Sequence, residues 1–213
     1  MTVSTIEIEA PVATPVEETP ELTQVETEAR AWPPPPREWT YEDYVRLPND
    51  RWRYEVIKGE LRMSPAPRTR HQKVGLHLKL ALGQFVNSHN LGEVYDAPTD
   101  VILSDLATPV QPDILFIAQE RLDIVKERFI AGPPDLIVEI LSPSNWLDDR
   151  RDKYEVYEAA GVREYWIVDP DHCAVEVFVL RDAHYAQVAR YAPGDVIHAD
   201  VVPEFKIAVS DFC

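Results

Sequence analysis

The stretch PDLIVEILSPSNWLDDRRDK, Pro134 to Lys153, decides how the rest of the chain must fold. Leu136, Ile137, Val138, Ile140 and Leu141 form an apolar run too short and too rich in β-branched residues for a core helix, which predicts a buried strand. Glu139 interrupts that run. A carboxylate in the middle of a buried strand is costly unless it is paired, hydrogen-bonded or bound to metal, so another group must meet it. After the strand, Ser142-Pro143-Ser144-Asn145 supplies helix-cap candidates, and Asp148 and Asp149 suit the positive end of a helix. That helix carries Lys153, turns Tyr154, Tyr157 and Ala160 inward and ends at Gly161, in the place of a C′ glycine.

Working outward, Glu164 to Val168 predicts the next strand, stopped by Asp169-Pro170. Val175–Leu180 and Tyr185–Tyr191 predict a hairpin, and Phe205–Val209 a last strand. On the other side, Val110 to Ala118, VQPDILFIA, predicts a strand with Asp113 embedded in it and an edge or bulge at Pro112. Glu93 to Leu103 reads as a further strand, and Arg121 to Phe129 as a charged connection or short helix. Val74, Leu78, Ala81, Leu82 and Phe85 have the spacing of an amphipathic helix between Arg68 and His89. Arg53 to Met63 predicts a hairpin turning at Lys58-Gly59, and Thr40 with Asp43 an N-cap for a short helix through Leu47, closed by Pro48. Residues 1–37, rich in Glu, Thr, Pro and Val and ending in Pro33–Pro36, predict a disordered acidic tail ahead of one folded domain from residue 38 to 213.

The 213 residues and 45% hydrophobic content suit one globular domain plus an appendage. There is no apolar run long enough to span a bilayer and no signal-peptide pattern, so a soluble, cytoplasmic protein without a membrane partner is expected. Cys173 and Cys213 are the only cysteines, which predicts neither a disulfide framework nor a thiolate metal site. The net charge of −16 argues against nonspecific nucleic-acid binding through a basic surface. The average hides a local surplus of +6 in residues 51–79, where Arg51, Arg53, Lys58, Arg62, Arg68, Arg70, Lys73 and Lys79 face only Glu55 and Glu60. Such a run is either a solvated face or a phosphate-contacting one.

Asp113 and Glu139 are acids in apolar strands separated by one connection. Setting those strands side by side, about 4.8 Å apart, lets the two carboxylates share a divalent cation, which would activate water and stabilise charge on a phosphate. The plainer alternative is that each acid lies at a strand end and meets solvent, a backbone N–H or an arginine. Asp135 stands four residues before Glu139, about 13 Å along the strand and too far for one ion, and belongs to the strand entry. Lys153 can reach the carboxylates if its helix folds back on the sheet; alone, a helix lysine is usually a surface residue.

The pieces TYEDYVRLP, YEVIKGEL, MSPAPRTRHQ, VQPDILFI, PDLIVEILSPS, DDRRDKYEVY and GVREYWIVDP, in this order from Trp39 to Phe212, resemble the Uma-two family of restriction-endonuclease-like proteins, within the PD-(D/E)XK nuclease superfamily. The resemblance implies an α/β fold: a restriction-endonuclease-like core, a mixed central β-sheet flanked by α-helices. It implies catalysis by Asp113, Glu139 and Lys153, and Mg2+ (or Mn2+) held by Asp113, Glu139 and the backbone carbonyl of Ile140. One position departs from the superfamily pattern: Leu141 stands where a lysine follows the acid, and Lys153 in the next helix takes over that role. Glu60 and Asp100 fall at motif positions as supporting acids, or are turn and strand-end carboxylates. His71 is a supporting phosphate or metal contact, or a capping or core histidine; Arg68, Arg70 and Lys73 are candidate phosphate contacts. Trp166 and Tyr165 read as core.

Together these readings predict a metal-dependent DNA endonuclease, with DNA as partner and a homodimer suited to cutting both strands. The alternatives are a catalytically silent nucleic-acid-binding or scaffold protein with the same fold, and a nuclease acting on RNA.

Overall fold

A computed structural model of the chain describes residues 32–50, 52–103, 107–142 and 146–213. The predicted tail falls largely on residues 1–31, and the cap candidates largely on residues 143–145, both outside the described residues. Trp32, placed in the tail by its sequence, packs its ring 5.6 Å from that of Trp39 and lies under the Arg46 guanidinium, so contacts begin before residue 38.

The elements in chain order are α1 (Tyr41–Tyr44), β1 (Arg53–Ile57), β2 (Glu60–Ser64), α2 (Thr69–His89), β3 (Gly92–Asp96), β4 (Val101–Ile102), β5 (Ile114–Ala118), β6 (Ile130–Ala131), β7 (Leu136–Ile140), α3 (Trp146–Ala160), β8 (Glu164–Asp169), β9 (Ala174–Arg181), β10 (His184–Tyr191), β11 (Val196–His198) and β12 (Lys206–Ala208). A six-stranded mixed sheet in the order β10-β9-β8-β7-β5-β3 forms the centre. Only β7 and β8, joined through α3, pair in parallel within it; the other neighbours are antiparallel. This is the α/β architecture expected from the sequence.

Strand alternation separates two cores. Ile114, Phe116, Val138, Ile140, Trp166 and Val168 meet Val74, Leu78, Leu82 and Val86 of α2. Leu115, Ile117, Ile137, Tyr165 and Ile167 meet Val156 and Tyr157 of α3. The period-2 pattern therefore turns Glu139 toward α3, because it shares a face with Ile137.

The predicted hairpin forms: β1 and β2 pair from Arg53↔Ser64 to Ile57↔Glu60, turning at Lys58 and Gly59, both at positive φ. At Gly59 a Cβ would sit 2.4 Å from the Arg37 carbonyl oxygen, so the close approach of the residues entering the domain requires glycine. Thr40 is the predicted N-cap and forms a capping box with Asp43, although α1 ends at Tyr44 rather than Leu47.

Three expectations are corrected. The strand from Glu93 to Leu103 is two: it breaks after Asp96 at Ala97-Pro98, where proline removes a donor, and β4 pairs with β6 in a separate sheet. Asp113 is not embedded in a strand but is the residue before β5; Pro112 cannot join a ladder, and pairing starts at Ile114. Cys173 and Cys213 form a disulfide, with Cα atoms 5.7 Å apart. Forty residues separate them, and they meet because Val209 and Phe212 bury against the sheet core and carry the chain end to the β8–β9 turn. This removes the thiol argument for a cytosolic setting. No helix among the described residues is long and apolar enough to cross a membrane.

Asp135 stands at the entry to β7, as expected, and is fully buried. It accepts from the Ala118 N–H at 2.8 Å and meets Arg121 at 2.8 Å and Arg163 at 3.0 Å. Asp135→Ala leaves that buried N–H without an acceptor and is expected to cost about 2–3 kcal/mol, read as a lower urea midpoint at unchanged slope.

Candidate active site

The register Ile114↔Val138 between β5 and β7 sets Asp113 beside the Glu139–Ile140 end of β7. There the Ile140 N–H donates to Asp113 Oδ2 at 2.8 Å. Arg53 Nη1 donates to Asp113 Oδ1 at 2.8 Å, and His71 Nε2 lies 3.1 Å from Oδ2. Arg53 also donates to the Gln111 carbonyl. Asp113 is thus gripped from β1, from the first turn of α2 and from the end of β7.

Glu139 is met from α3, as the sequence required of some element. Lys153 Nζ lies 3.0 Å from Glu139 Oε1, and the Tyr157 hydroxyl donates to the same oxygen at 2.6 Å. Lys153 and Tyr157 are four residues apart and so share a helix face. Lys153 is 7% exposed, which rules out the surface-lysine reading.

A third buried carboxylate was missed by sequence reasoning. Glu55 lies 3.0 Å from Lys153 Nζ and 3.7 Å from Arg53, and accepts from the Gln111 N–H at 2.8 Å. Its signal was present: in the β1 sequence RYEVI, Arg53 and Glu55 alternate onto one face, which the strand period makes available to a single site. Tyr157, read only as core, and Arg53, counted with the basic run, were missed because their partners lie on distant elements.

The other sequence candidates divide. His71 joins the site through Asp113. Asp100 stands one residue removed, accepting from Gln111 Nε2 at 2.8 Å and from the Tyr44 hydroxyl at 2.9 Å. Glu60 lies at the turn end of the hairpin, near Arg37 and Arg62 at 3.4 Å each, and is not brought to the cluster; Glu55, on the preceding strand, reaches it instead. Within the basic run, Arg53, half-buried, joins the cluster, Lys58 and Arg62 bind Asp152 of α3, and Lys79 binds Asp96. Arg68, Arg70 and Lys73 remain exposed at the start of α2, with Arg70 3.9 Å from Asp171.

The Lys58 and Arg62 contacts to Asp152, at 2.9 and 2.8 Å, clasp the hairpin carrying Glu55 onto the helix carrying Lys153. Because the two cations are partly exposed, Asp152→Ala is expected to cost no more than about 1 kcal/mol, measured by thermal unfolding.

Three carboxylates, Glu55, Asp113 and Glu139, share two permanent cations, Arg53 and Lys153. Burial opposes ionisation of Asp113, yet the His71 hydrogen bond and the Arg53 charge hold its carboxyl well below the usual range. Glu55 is likewise lowered against its burial by Lys153 and Arg53. The unbalanced charge falls on Glu139: burial, reinforced by Asp113 and Glu55, outweighs Lys153 and pushes it up to about 7. Lys153 is raised despite burial, by Glu139 and Glu55, and is a fixed ammonium rather than a base. Burial and Glu139 push Tyr157 well above the ordinary tyrosine value, leaving it a neutral donor.

A cleft of about 1030 Å³ opens beside this cluster, lined by Asp113, His71, Arg53 and Ile140 together with residues of α1, α2 and the segment before β1.

Residues 41–210 match the Uma2 family model, described as "Putative restriction endonuclease". Among solved structures, the chain resembles "a putative nuclease belonging to DUF820" from Anabaena variabilis ATCC 29413, at 19% identity and a TM-score of 0.69, covering 81% of this chain and 96% of that one. At that identity the likeness concerns the fold. No curated protein matches the chain. With the family match running from the first residue of α1 to the turn after β12, and so containing every strand and helix of the sheet and its carboxylate cluster, the chain belongs to the Uma2 family.

Proposed function

We propose that the protein is a divalent-metal-dependent DNA endonuclease, hydrolysing phosphodiester bonds at the cluster of Glu55, Asp113, Glu139 and Lys153. The observation that carries this reading is the surplus of buried carboxylate beside an open cleft: three acids against two permanent cations, with Glu139 held up to about 7. A bound cation would remove the surplus that Arg53 and Lys153 leave, His71 at 3.1 Å from Asp113 adding no permanent charge, and would favour ionised Glu139.

Asp113, Glu139 and the Ile140 carbonyl would hold Mg2+ or Mn2+, and this hard oxygen set suits either ion. Among the described residues no three His, Cys, Asp or Glu side chains converge as a cage. Mg2+ needs none, since it keeps several waters and takes one or two carboxylates along with phosphate oxygens. The bound ion would supply an activated water and stabilise phosphate charge. Lys153 spends one donor on Glu55 and one on Glu139, leaving its third for the attacking water or a phosphate oxygen. Arg53 and His71 hold Asp113 in place. Arg68, Arg70 and Lys73 contact phosphates, which makes binding weaken with added salt. A homodimer would present two such sites to the two strands of a duplex, a state that sedimentation analysis reads directly.

The test is cleavage of plasmid DNA and of labelled DNA and RNA oligonucleotides with Mg2+ or Mn2+, comparing wild type with Asp113→Ala. DNA cleavage that needs the ion and falls at least about 100-fold in the variant is the expected result. Equal cleavage by the variant would locate the activity elsewhere. Preferential RNA cleavage would change the substrate, and ion binding by calorimetry without cleavage of either polymer would leave a silent nucleic-acid-binding protein.

A further inference from the structure

The cleft beside Asp113 has walls unlike a surface for gripping a phosphate rod. Trp52 and Tyr54 line it on one side. Asp50 ties the two segments together: its Oδ1 accepts from the backbone N–H of Trp52 at 2.8 Å, and its Oδ2 from the Tyr54 hydroxyl at 3.0 Å. Tyr41 and Tyr44 also line the cleft, their rings stacked 5.8 Å apart, and Tyr44 is fixed by its hydrogen bond to Asp100. Four aromatic rings, three of them anchored directly or by stacking through an aspartate-bound tyrosine, therefore surround one opening. Trp52 is 39% exposed, so part of its ring is open to the cleft.

The charged lining sets Asp50, Asp96, Asp100 and Asp113, each hydrogen-bonded or paired within the protein, beside four cations, of which two are unpaired among the described residues. Lys73 of α2 and Arg128, in the segment before β6, both line it and have no ion-pair partner among the described residues, whereas Lys79 and Arg53 on the same lining are paired. Aromatic faces interleaved with free cations are the chemistry of single-stranded nucleic acid: each base offers a π face whatever its identity, and the phosphates between them take the cations. A duplex hides its base faces in the stack, so rings lining a cleft are met by bases only where the strands are unpaired or splayed.

We propose that this cleft holds an unpaired nucleic-acid strand, with bases stacked on Trp52 and Tyr41 and phosphates met by Lys73 and Arg128. The inference rests on the nucleic-acid reading of the site given above and narrows its substrate to single strands or splayed ends. Asp50 and Asp100 then act as positioning residues for the stacking walls.

The experiment is fluorescence anisotropy with the full chain in EDTA, titrating a labelled ten-nucleotide thymidine strand and a labelled duplex of equal length. Wild type is expected to bind the single strand more tightly than the duplex. Trp52→Ala is expected to weaken strand binding about tenfold, Trp52→Phe to retain most of it, and Lys73→Ala and Arg128→Ala each to flatten its salt dependence. Absence of strand binding, tighter duplex binding, or equal strand affinity in folded Trp52→Ala would overturn the proposal. Trp52-dependent strand binding by a protein that cleaves nothing would keep this inference and remove the nuclease reading. Duplex cleavage indifferent to Trp52 would do the reverse.

Discussion

Glu139→Gln is expected to make the protein more stable above neutral pH while lowering nuclease activity by at least about 100-fold. Both effects come from one cause. Glu139 is raised from 4.5 to about 7, so between those values the unfolded chain releases a proton that the folded chain still holds. Wild-type stability contributed by this group is fully present below about 4.5 and is lost as pH rises through about 7. The difference corresponds to about 3 kcal/mol. Glutamine keeps the shape and can still accept from Tyr157, but removes the titration. Urea melts of wild type and variant at pH 4.5 and 8 should therefore differ much more at pH 8, with the variant the more stable there. Equal pH dependence in the two proteins would show that Glu139 titrates in the folded protein at its ordinary unfolded value. Calorimetry supplies the functional half: Mg2+ affinity of the wild type should rise with pH through about 7 and be largely absent in the variant.

Lys153→Met is expected to have the opposite effect on stability. The ammonium lies 3.0 Å from Glu55 and 3.0 Å from Glu139, all three side chains being at most 10% exposed. Removing it leaves two buried carboxylates short of a cation, and breaking buried pairs of this kind costs about 3–5 kcal/mol. The loss should be largest above pH 7, where Glu139 must ionise, and smaller near pH 5, where it keeps its proton. Lys153→Met combined with Glu139→Gln should recover a substantial part of the loss, since the second change removes one of the stranded charges. A double-mutant cycle from four urea melts measures that coupling, and additive effects would show that the two side chains are energetically independent.

The parts legible beforehand are those with a local physical cause. The apolar run at Leu136–Leu141 predicted β7, the three-and-four spacing after Arg68 predicted α2, and Lys58-Gly59 predicted the hairpin turn, because side-chain period and backbone conformation are set by neighbouring residues. The interrupted strand also demanded a partner for Glu139, and Lys153 was a candidate because its helix had to fold back. The misses share the opposite character. Glu55 reaches Lys153 across almost a hundred residues of chain, Arg53 left the apparent basic face to pair with Asp113, and Cys173 met Cys213 only through the packing of the chain end.

From its sequence alone, then, the chain determined its strand and helix pattern, its mixed α/β class and the need to satisfy a buried glutamate, since burial of a charge carries its cost wherever the strand lies. Tertiary structure decided how that need is met. The β5–β7 register set Asp113 beside Ile140, and the hairpin delivered Glu55 with Arg53. The fold of α3 onto the sheet made Lys153 the cation shared by two acids. These are contacts between segments distant in the chain, and their energies depend on distances that only the packed sheet and helices establish.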